Sequence, residues 1–96
     1  MNSRIVPDIV PSPDVLTSHL EGEAVLLHMG TKRYFRLNRT GAHIWKALEA
    51  GVKTPDITQS LADVFDVSRS EADEAVSVLV SELLENSLVS EASSTR

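Results

Sequence analysis

Three histidines, His19, His28 and His43, are the side chains best suited to metal binding or acid–base chemistry. Two fall in predicted strands and one in a predicted helix. None has a second histidine at i, i+4 or an acidic neighbour at ligand spacing. We therefore expect no metal site and no cofactor, and interpret the histidines as half-buried or surface residues.

Nucleophiles for covalent catalysis are also missing. The chain has no cysteine, which excludes a thiolate nucleophile, thiolate metal ligands and disulfides together. None of its serines stands in a nucleophile-elbow setting, and there is no glycine-rich phosphate loop. Acidic pairs such as Asp73-Glu74 are typical of a solvated helix face. The sequence therefore predicts a protein that is not an enzyme.

Length and composition indicate one small domain. The 96 residues are 42% hydrophobic and 24% charged, which is ordinary for a globular fold with a single core. No run has the length of a signal-peptide core or a membrane span, so we expect a cytoplasmic protein. We predict a flexible arm over residues 1–12, a folded domain over 13–89 and a flexible tail over 90–96.

The charges are unevenly distributed along the chain. Nine basic and fourteen acidic residues give a net charge of −5. Five basic residues are concentrated between positions 32 and 46: Lys32, Arg33, Arg36, Arg39 and Lys46. The C-terminal half is acidic, so we expect the two parts to face different partners, or each other.

Three strands followed by three helices must position any site in this chain. Alternating side chains predict strands over 15–20, 24–29 and 32–37, joined by turns at Glu21-Gly22-Glu23 and Gly30-Thr31. The glycine of the first turn stands where a hairpin needs a positive φ. The pattern indicates a three-stranded antiparallel meander.

Capping residues mark the start of the first two helices. Asn38 or Thr40 can cap the first, and Thr54 can cap the second with Pro55 at its first position. Trp45, the only tryptophan, is predicted to lie in the core between the third strand and the helices.

A capping box opens the third helix, with Ser68 three residues before Glu71. Its apolar pattern continues to about Glu85, and Leu88-Val89 can add a short terminal strand or pack on the core. The order β-β-β-α-α-α predicts an α+β, winged-helix-like domain: a three-stranded antiparallel sheet followed by three helices.

A winged-helix DNA-binding protein is the rival interpretation of this order. The last helix would then approach DNA, yet it has five acidic residues against Arg69: Glu71, Asp73, Glu74, Glu82 and Glu85. Such a surface is repelled by a polyanion, where DNA-binding proteins gain from counterion release. The charge pattern therefore favours a peptide partner over nucleic acid.

The third helix carries apolar residues beyond its core stripe. On a helical wheel, five residues form that stripe: Ala72, Ala75, Val76, Leu79 and Leu83. Val80 and Leu84 lie on one flank of it, together with Asp73 and Ser77. This flank can be a groove wall, or Val80 and Leu84 can merely widen the core contact.

The third strand has the properties of a docking edge. Phe35 and Leu37 alternate with Tyr34 and Arg36, so that one pair can face the helices while the other faces out. In a meander this strand is an edge, and an open edge invites an added strand. We therefore predict a peptide-binding module.

One segment resembles a known family. The run "YFRLNRTGAHIWKAL", followed by "TPDITQSLADVFDV" and "EADEAVSVLVSELLENSLV", is similar to the PqqD-like recognition element for ribosomally synthesised and post-translationally modified peptides (RiPPs). Leu37-Asn38, Gly41 and Ile44-Trp45 carry the likeness, which extends over residues 15–89. Members bind the leader segment of a precursor peptide and deliver it to modifying enzymes.

The resemblance implies that the leader adds as a strand to the third strand and packs on the third helix. The residues it points to lie on these two elements: Lys32, Arg33, Tyr34, Phe35, Arg36, Asp73, Val76, Ser77 and Val80. A tyrosine and a proline of the leader would pack on Tyr34 and on the wall formed by Val76 and Val80.

Two branches of the family remain open. The chain lacks the proline-rich segment of the PQQ-pathway protein, a peptide chaperone for a radical SAM enzyme. Its strand-to-helix run and acidic last helix resemble the recognition half of split lasso-peptide leader peptidases. That likeness implies three partners: a lasso precursor, a separate cysteine-protease subunit and a cyclase. Dimerisation through the free edge strand is a further possibility.

Overall fold

A three-stranded antiparallel sheet followed by three helices forms most of the computed structural model, which describes residues 8–92. The elements in chain order are β1 (Asp8–Pro11), β2 (Val15–Leu20), β3 (Glu23–His28), β4 (Arg33–Leu37), α1 (Arg39–Glu49), α2 (Thr54–Phe65), α3 (Arg69–Glu85) and β5 (Val89–Ala92). The α+β arrangement predicted from the sequence is confirmed; the winged-helix likeness stays a prediction.

The strand order of the main sheet is β2-β3-β4. A two-residue turn joins β2 to β3, with φ of 50° at Glu21 and 86° at Gly22. Positive φ at both positions is the type I′ geometry that matches the twist of a hairpin. The next turn places Lys32 at φ 66°, so β4 begins at Arg33 and not at Lys32 as predicted.

A second, two-stranded sheet joins the two ends of the described range, residues 8–92. β1 pairs antiparallel with β5, with Ile9 opposite Glu91 and Pro11 opposite Val89. Residues 8–11 and 90–92, which the sequence placed in the flexible arm and tail, belong to these strands. Ser12, the last residue of the predicted arm, donates its N–H to the Leu88 carbonyl at 2.9 Å. Residues 1–7 and 93–96 lie outside the described residues.

The junction between β4 and α1 is tightly packed. The Asn38 side chain caps α1, because its Oδ1 accepts a hydrogen bond from the Gly41 N–H at 2.9 Å. A Cβ on the buried Gly41 would lie 3.3 Å from the Leu37 Cβ, so glycine permits this close approach. Asn38, one of two predicted caps, is thus confirmed, and β4 is held against the helices.

The predictions of the N-terminal caps of the other two helices have different outcomes. The capping box of Ser68 and Glu71 is present in both directions, and α3 ends at Glu85 as predicted. The predicted cap of α2 is wrong by one residue: Lys53 is the N-cap, and Thr54 is already helical. No side-chain bond closes this cap.

Trp45 lies at the centre of the core, with 1% of its surface exposed. Its Nε1–H donates to the Thr17 Oγ1 at 3.0 Å, which ties α1 to β2. Leu37 is buried beside it in the same cluster, and Leu79 packs against that cluster while half-buried. The predicted position of Trp45 is confirmed.

Candidate functional site

The outer edge of β4 has no strand partner among residues 8–92, since the main sheet ends there. Two backbone hydrogen bonds show which way the β3 peptide groups point. The Met29 N–H donates to the Asp14 carbonyl on the β2 side, and the Lys32 N–H donates to the His28 carbonyl on the β4 side. Because peptide groups alternate along a strand, Ala24, Leu26 and His28 face β4.

The register then assigns each β4 peptide group to one side. Arg33, Phe35 and Leu37 lie opposite the β3 residues that face them, so their N–H and C=O groups are used by β3. Tyr34 and Arg36 alternate with these residues and direct their N–H and C=O groups to the open edge. An added strand would therefore pair with Tyr34 and Arg36.

The side chains of β4 divide between the two faces of the sheet. Leu37 is 7% exposed on the inner face, and the Arg33 guanidinium lies 5.6 Å from the ring centroid of the half-buried Phe35. Tyr34 is 71% exposed on the outer face, and Arg36 is exposed beside it. The Tyr34 side chain thus points away from the helices.

A groove of about 300 Å³ separates the inner face of β4 from α3. We call it the β4–α3 groove. Its β4 wall contains Phe35, Arg36 and Leu37. The facing residues come from the end of α3 and the segment after it: Leu79, Glu82, Leu83, Glu85, Asn86 and Leu88. An open edge and an apolar groove therefore lie side by side.

The two walls of the β4–α3 groove carry opposite charges. Arg36 lines the groove on the β4 side, whereas Glu82 and Glu85 line it on the α3 side. Arg36 reaches the Glu23 carboxylate at 3.5 Å, but both side chains are largely exposed, so this pair contributes little. Neither α3 carboxylate is in an ion pair with another described residue. A peptide of mixed charge would complement such a groove.

The α3 residues predicted for the site do not border this groove. Asp73, Val76, Ser77 and Val80 line a different groove of about 370 Å³, between α3, the start of α2 and the β1–β5 pair. We call it the α2–α3 groove. Val76 is only 4% exposed. The structure therefore separates the predicted strand residues from the predicted helix residues.

Helix rotation explains this separation. Leu79 lies within the core stripe of α3 and Val80 on one flank of it; in the structure Leu79 borders the β4–α3 groove, whereas Val80 borders the α2–α3 groove. The predicted wall formed by Val76 and Val80 is consequently not beside Tyr34. Leu79, Glu82 and Asn86 border the β4–α3 groove and were not among the residues predicted for the site, because nothing in the local sequence shows which side of α3 faces β4.

The histidines have structural partners. The His28 Nδ1 accepts hydrogen bonds from the N–H groups of Gly30 and Thr31 at 3.1 and 3.2 Å, and the His43 ring lies 3.0 Å from the Ser60 Oγ. Within residues 8–92 no three histidine or acidic side chains cluster as a metal site would require. The helices of this part of the chain are all too short or too polar to cross a membrane.

The chain is similar to a known protein family and to solved structures. The family model for coenzyme PQQ synthesis protein D (PqqD) matches residues 23–89. The structure of TbiB1 in complex with the TbiA(beta) leader peptide has a TM-score of 0.79 and 29% identity, covering 83% of this chain and 93% of that chain. A lasso peptide synthetase B1 complexed with the leader peptide has a TM-score of 0.78 and 28% identity, covering 86% and 98%.

A search of curated protein sequences finds no match. The family model nevertheless covers more than half of the chain, including β3, β4 and all three helices. The resemblance drawn from the segment around Leu37-Asn38 and Ile44-Trp45 is confirmed. The chain belongs to the PqqD family.

Proposed function

We propose that this protein binds the leader segment of a ribosomally synthesised precursor peptide as an added strand on β4, without catalysing a reaction itself. The observation that carries the proposal is the open edge at Tyr34 and Arg36, beside an apolar groove. Two similar proteins are described as leader-peptide complexes, which supports the same class of ligand here.

The β4–α3 groove supplies what such a strand needs. Main-chain bonds to Tyr34 and Arg36 would give affinity without regard to sequence, and pockets for alternate side chains would give selectivity. Leader residues pointing inward would meet Phe35, Leu79 and Leu83. Buried apolar anchors of this kind usually carry most of the binding energy, while the charged rim contributes less.

The bound leader would be presented to enzymes that this chain does not contain. Similarity to a lasso peptide synthetase B1 favours a separate cysteine-protease subunit and a cyclase as partners. Membership of the PqqD family supports a second candidate, a peptide chaperone for a radical SAM enzyme. Co-purification with each class of enzyme, in the presence of the leader, distinguishes the two.

Calorimetric titration of the full chain with its cognate leader tests the proposed function. We expect saturable binding of one leader per chain, and no detectable binding of a scrambled peptide of the same composition. Equal affinity for both peptides would contradict sequence-selective leader recognition. Incubation of the bound leader without added enzyme should leave its mass unchanged, and cleavage by the purified chain would refute the absence of catalysis.

Substitutions on the two flanks of α3 identify the groove that the leader uses. Leu79 and Val80 are neighbours, both half-buried and both packed against the core. Leu79→Asp should weaken leader binding by about tenfold or more, because it places an unpaired charge in the apolar part of the β4–α3 groove. Val80→Asp should impose a similar folding cost and leave leader affinity nearly unchanged.

Calorimetry measures both variants, and circular dichroism checks that each remains folded. The reverse result, with binding lost in Val80→Asp and kept in Leu79→Asp, would move the leader to the α2–α3 groove. That outcome would restore the helix residues expected from the sequence, Asp73, Val76, Ser77 and Val80.

A further inference from the structure

A third groove lies on the β2 side of the molecule, away from the β4 edge. It has a volume of about 560 Å³ and is formed by α1, the end of α2 and the β2–β3 turn. We call it the α1–α2 groove. Four of its lining residues are basic or can become so: His19, Arg39, His43 and Lys46. No carboxylate lines it, although the chain has a net charge of −5.

The two permanent cations of this groove have no carboxylate partner among the described residues. His19 lies 3.9 Å from the Glu49 carboxylate, and Arg36 pairs with Glu23. Arg39 and Lys46 are exposed and in neither pair. Two permanent positive charges therefore stand on one helix face, at i and i+7, without neutralisation by the rest of the described chain.

The turn between β2 and β3 holds one of these cations in place. The Arg39 guanidinium packs over Gly22, where an added Cβ would lie 3.3 Å from its Cζ. Gly22 also has φ 86°, a backbone conformation that favours glycine at this position. A positioned guanidinium is better suited to a carboxylate than a freely moving one.

The floor of the α1–α2 groove is apolar and partly exposed. Val64 is 60% exposed, and Phe65 is half-buried with its ring edge-on to His43, at a centroid distance of 5.6 Å. The His43 ring is fixed in turn by its contact with the Ser60 Oγ. An exposed apolar residue beside a rigid aromatic one, with cations around them, is typical of a protein interface.

We propose that the α1–α2 groove docks an acidic segment of a partner polypeptide. Its carboxylates would pair with Arg39 and Lys46, and an apolar side chain between them would pack on Val64 and Phe65. This site goes beyond leader binding, because β3 stands between β2 and β4 in the sheet. A leader on β4 and a partner in the α1–α2 groove could therefore be bound together.

A nucleic acid or another polyanion fits this groove less well. Polyanion binding depends on neutralising many phosphates, and the groove offers two permanent cations. The apolar floor would gain nothing from a phosphate backbone. Charge complementarity together with the apolar floor thus favours an acidic peptide.

The test uses the full chain and a labelled short peptide of aspartate and glutamate around a central Leu-Phe pair. Fluorescence polarisation measures affinity, and amide NMR shifts locate the site. We expect shifts in α1 and around Val64-Phe65. Neutralising two cations, as Arg39→Gln with Lys46→Gln, should weaken binding about tenfold. A peptide with alanine in place of Leu-Phe should also bind more weakly.

A charge-matched control separates a specific site from a general effect of net charge. Lys32→Gln with Arg33→Gln removes the same number of positive charges at the opposite end of the sheet, and should leave affinity for the acidic peptide unchanged. Leader binding should be retained by the Arg39→Gln and Lys46→Gln variant. The two sites would then be independent, and failure of one proposal would not imply failure of the other.

Three results would overturn the proposal. Equal loss of affinity in both double variants would mean that the peptide senses only net charge. Shifts confined to β4 would mean that the acidic peptide occupies the leader site. Inorganic polyphosphate binding more tightly than the acidic peptide, with no effect of the Leu-Phe pair, would assign the groove to polyanions.

Discussion

Replacing Tyr34 with proline should remove most of the affinity for the leader while the fold persists. The Tyr34 N–H faces the open edge of β4, so proline deletes a donor that β3 does not use. A leader carbonyl then loses its partner, which costs about 1–3 kcal/mol, equivalent to about five- to 150-fold in affinity. Calorimetry with the cognate leader measures the loss.

Two control substitutions isolate the main-chain contribution. Tyr34→Ala removes the exposed ring but keeps the N–H, so a large part of the affinity should remain. His19→Pro makes the equivalent change on β2, because His19 lies opposite Ala24, whose peptide group faces β4. Leader binding should be unaffected in that variant. If Tyr34→Pro binds the leader as tightly as the unmodified chain, strand addition at this edge is wrong.

The corresponding change at Phe35 has a different consequence. Its N–H faces β3, and Phe35 lies opposite Leu26, which is completely buried. Phe35→Pro should therefore break the β3–β4 ladder and reduce stability, whether or not leader is present. Loss of binding in Phe35→Pro alone would say nothing about the open edge, whereas the contrast with Tyr34→Pro does.

Trp45→Ala should reduce the free energy of unfolding by about 3–5 kcal/mol. The side chain is 1% exposed, touches the common core of the sheet and helices, and leaves Thr17 without its Nε1 donor when removed. Small domains are stabilised by about 5–15 kcal/mol in total, so this variant would be close to unfolding. Urea denaturation followed by circular dichroism measures the change.

Val64→Ala provides the stability control, because Val64 is 60% exposed on α2. Surface changes of this kind usually alter the unfolding free energy by less than about 0.5 kcal/mol. An unfolding midpoint in Trp45→Ala equal to that of Val64→Ala would mean that the indole contributes no core packing. Trp45 would then have to be reconsidered as a surface residue available for binding.

Much of this fold could be predicted from the sequence, because its turns and helix caps depend on residues that are close along the chain. The Glu21-Gly22 turn, the Asn38 cap and the capping box of Ser68 and Glu71 depend on residues within a few positions of each other. Their effect does not require the rest of the chain, because turn and cap preferences arise from short-range sterics and hydrogen bonds. The family resemblance likewise followed from three runs of the sequence, of which the strand-to-helix run around Leu37-Asn38 and Ile44-Trp45 carries the motif.

The β1–β5 pair, in contrast, depends on segments that are far apart in the sequence. Each strand has four residues, and the partners stand at the two ends of the described chain. Leu88-Val89 left a short terminal strand open as one of two alternatives, whereas the β1 segment gave no such indication and its Pro11 argues against a strand. Only closure of the whole domain brings the two segments together, so the arm and tail could not be read correctly from local pattern.

The candidate site likewise has features that depend on local sequence and features that depend on tertiary packing. The sequence by itself determined that β4 is an edge strand with Tyr34 and Arg36 on one face, because alternation along a strand is a local property. It also determined the core stripe of α3. Which flank of α3 faces β4 was decided only by the tertiary structure, since a helix can turn about its axis until packing selects one orientation. That packing turned Leu79 toward the edge strand and Val80 away from it.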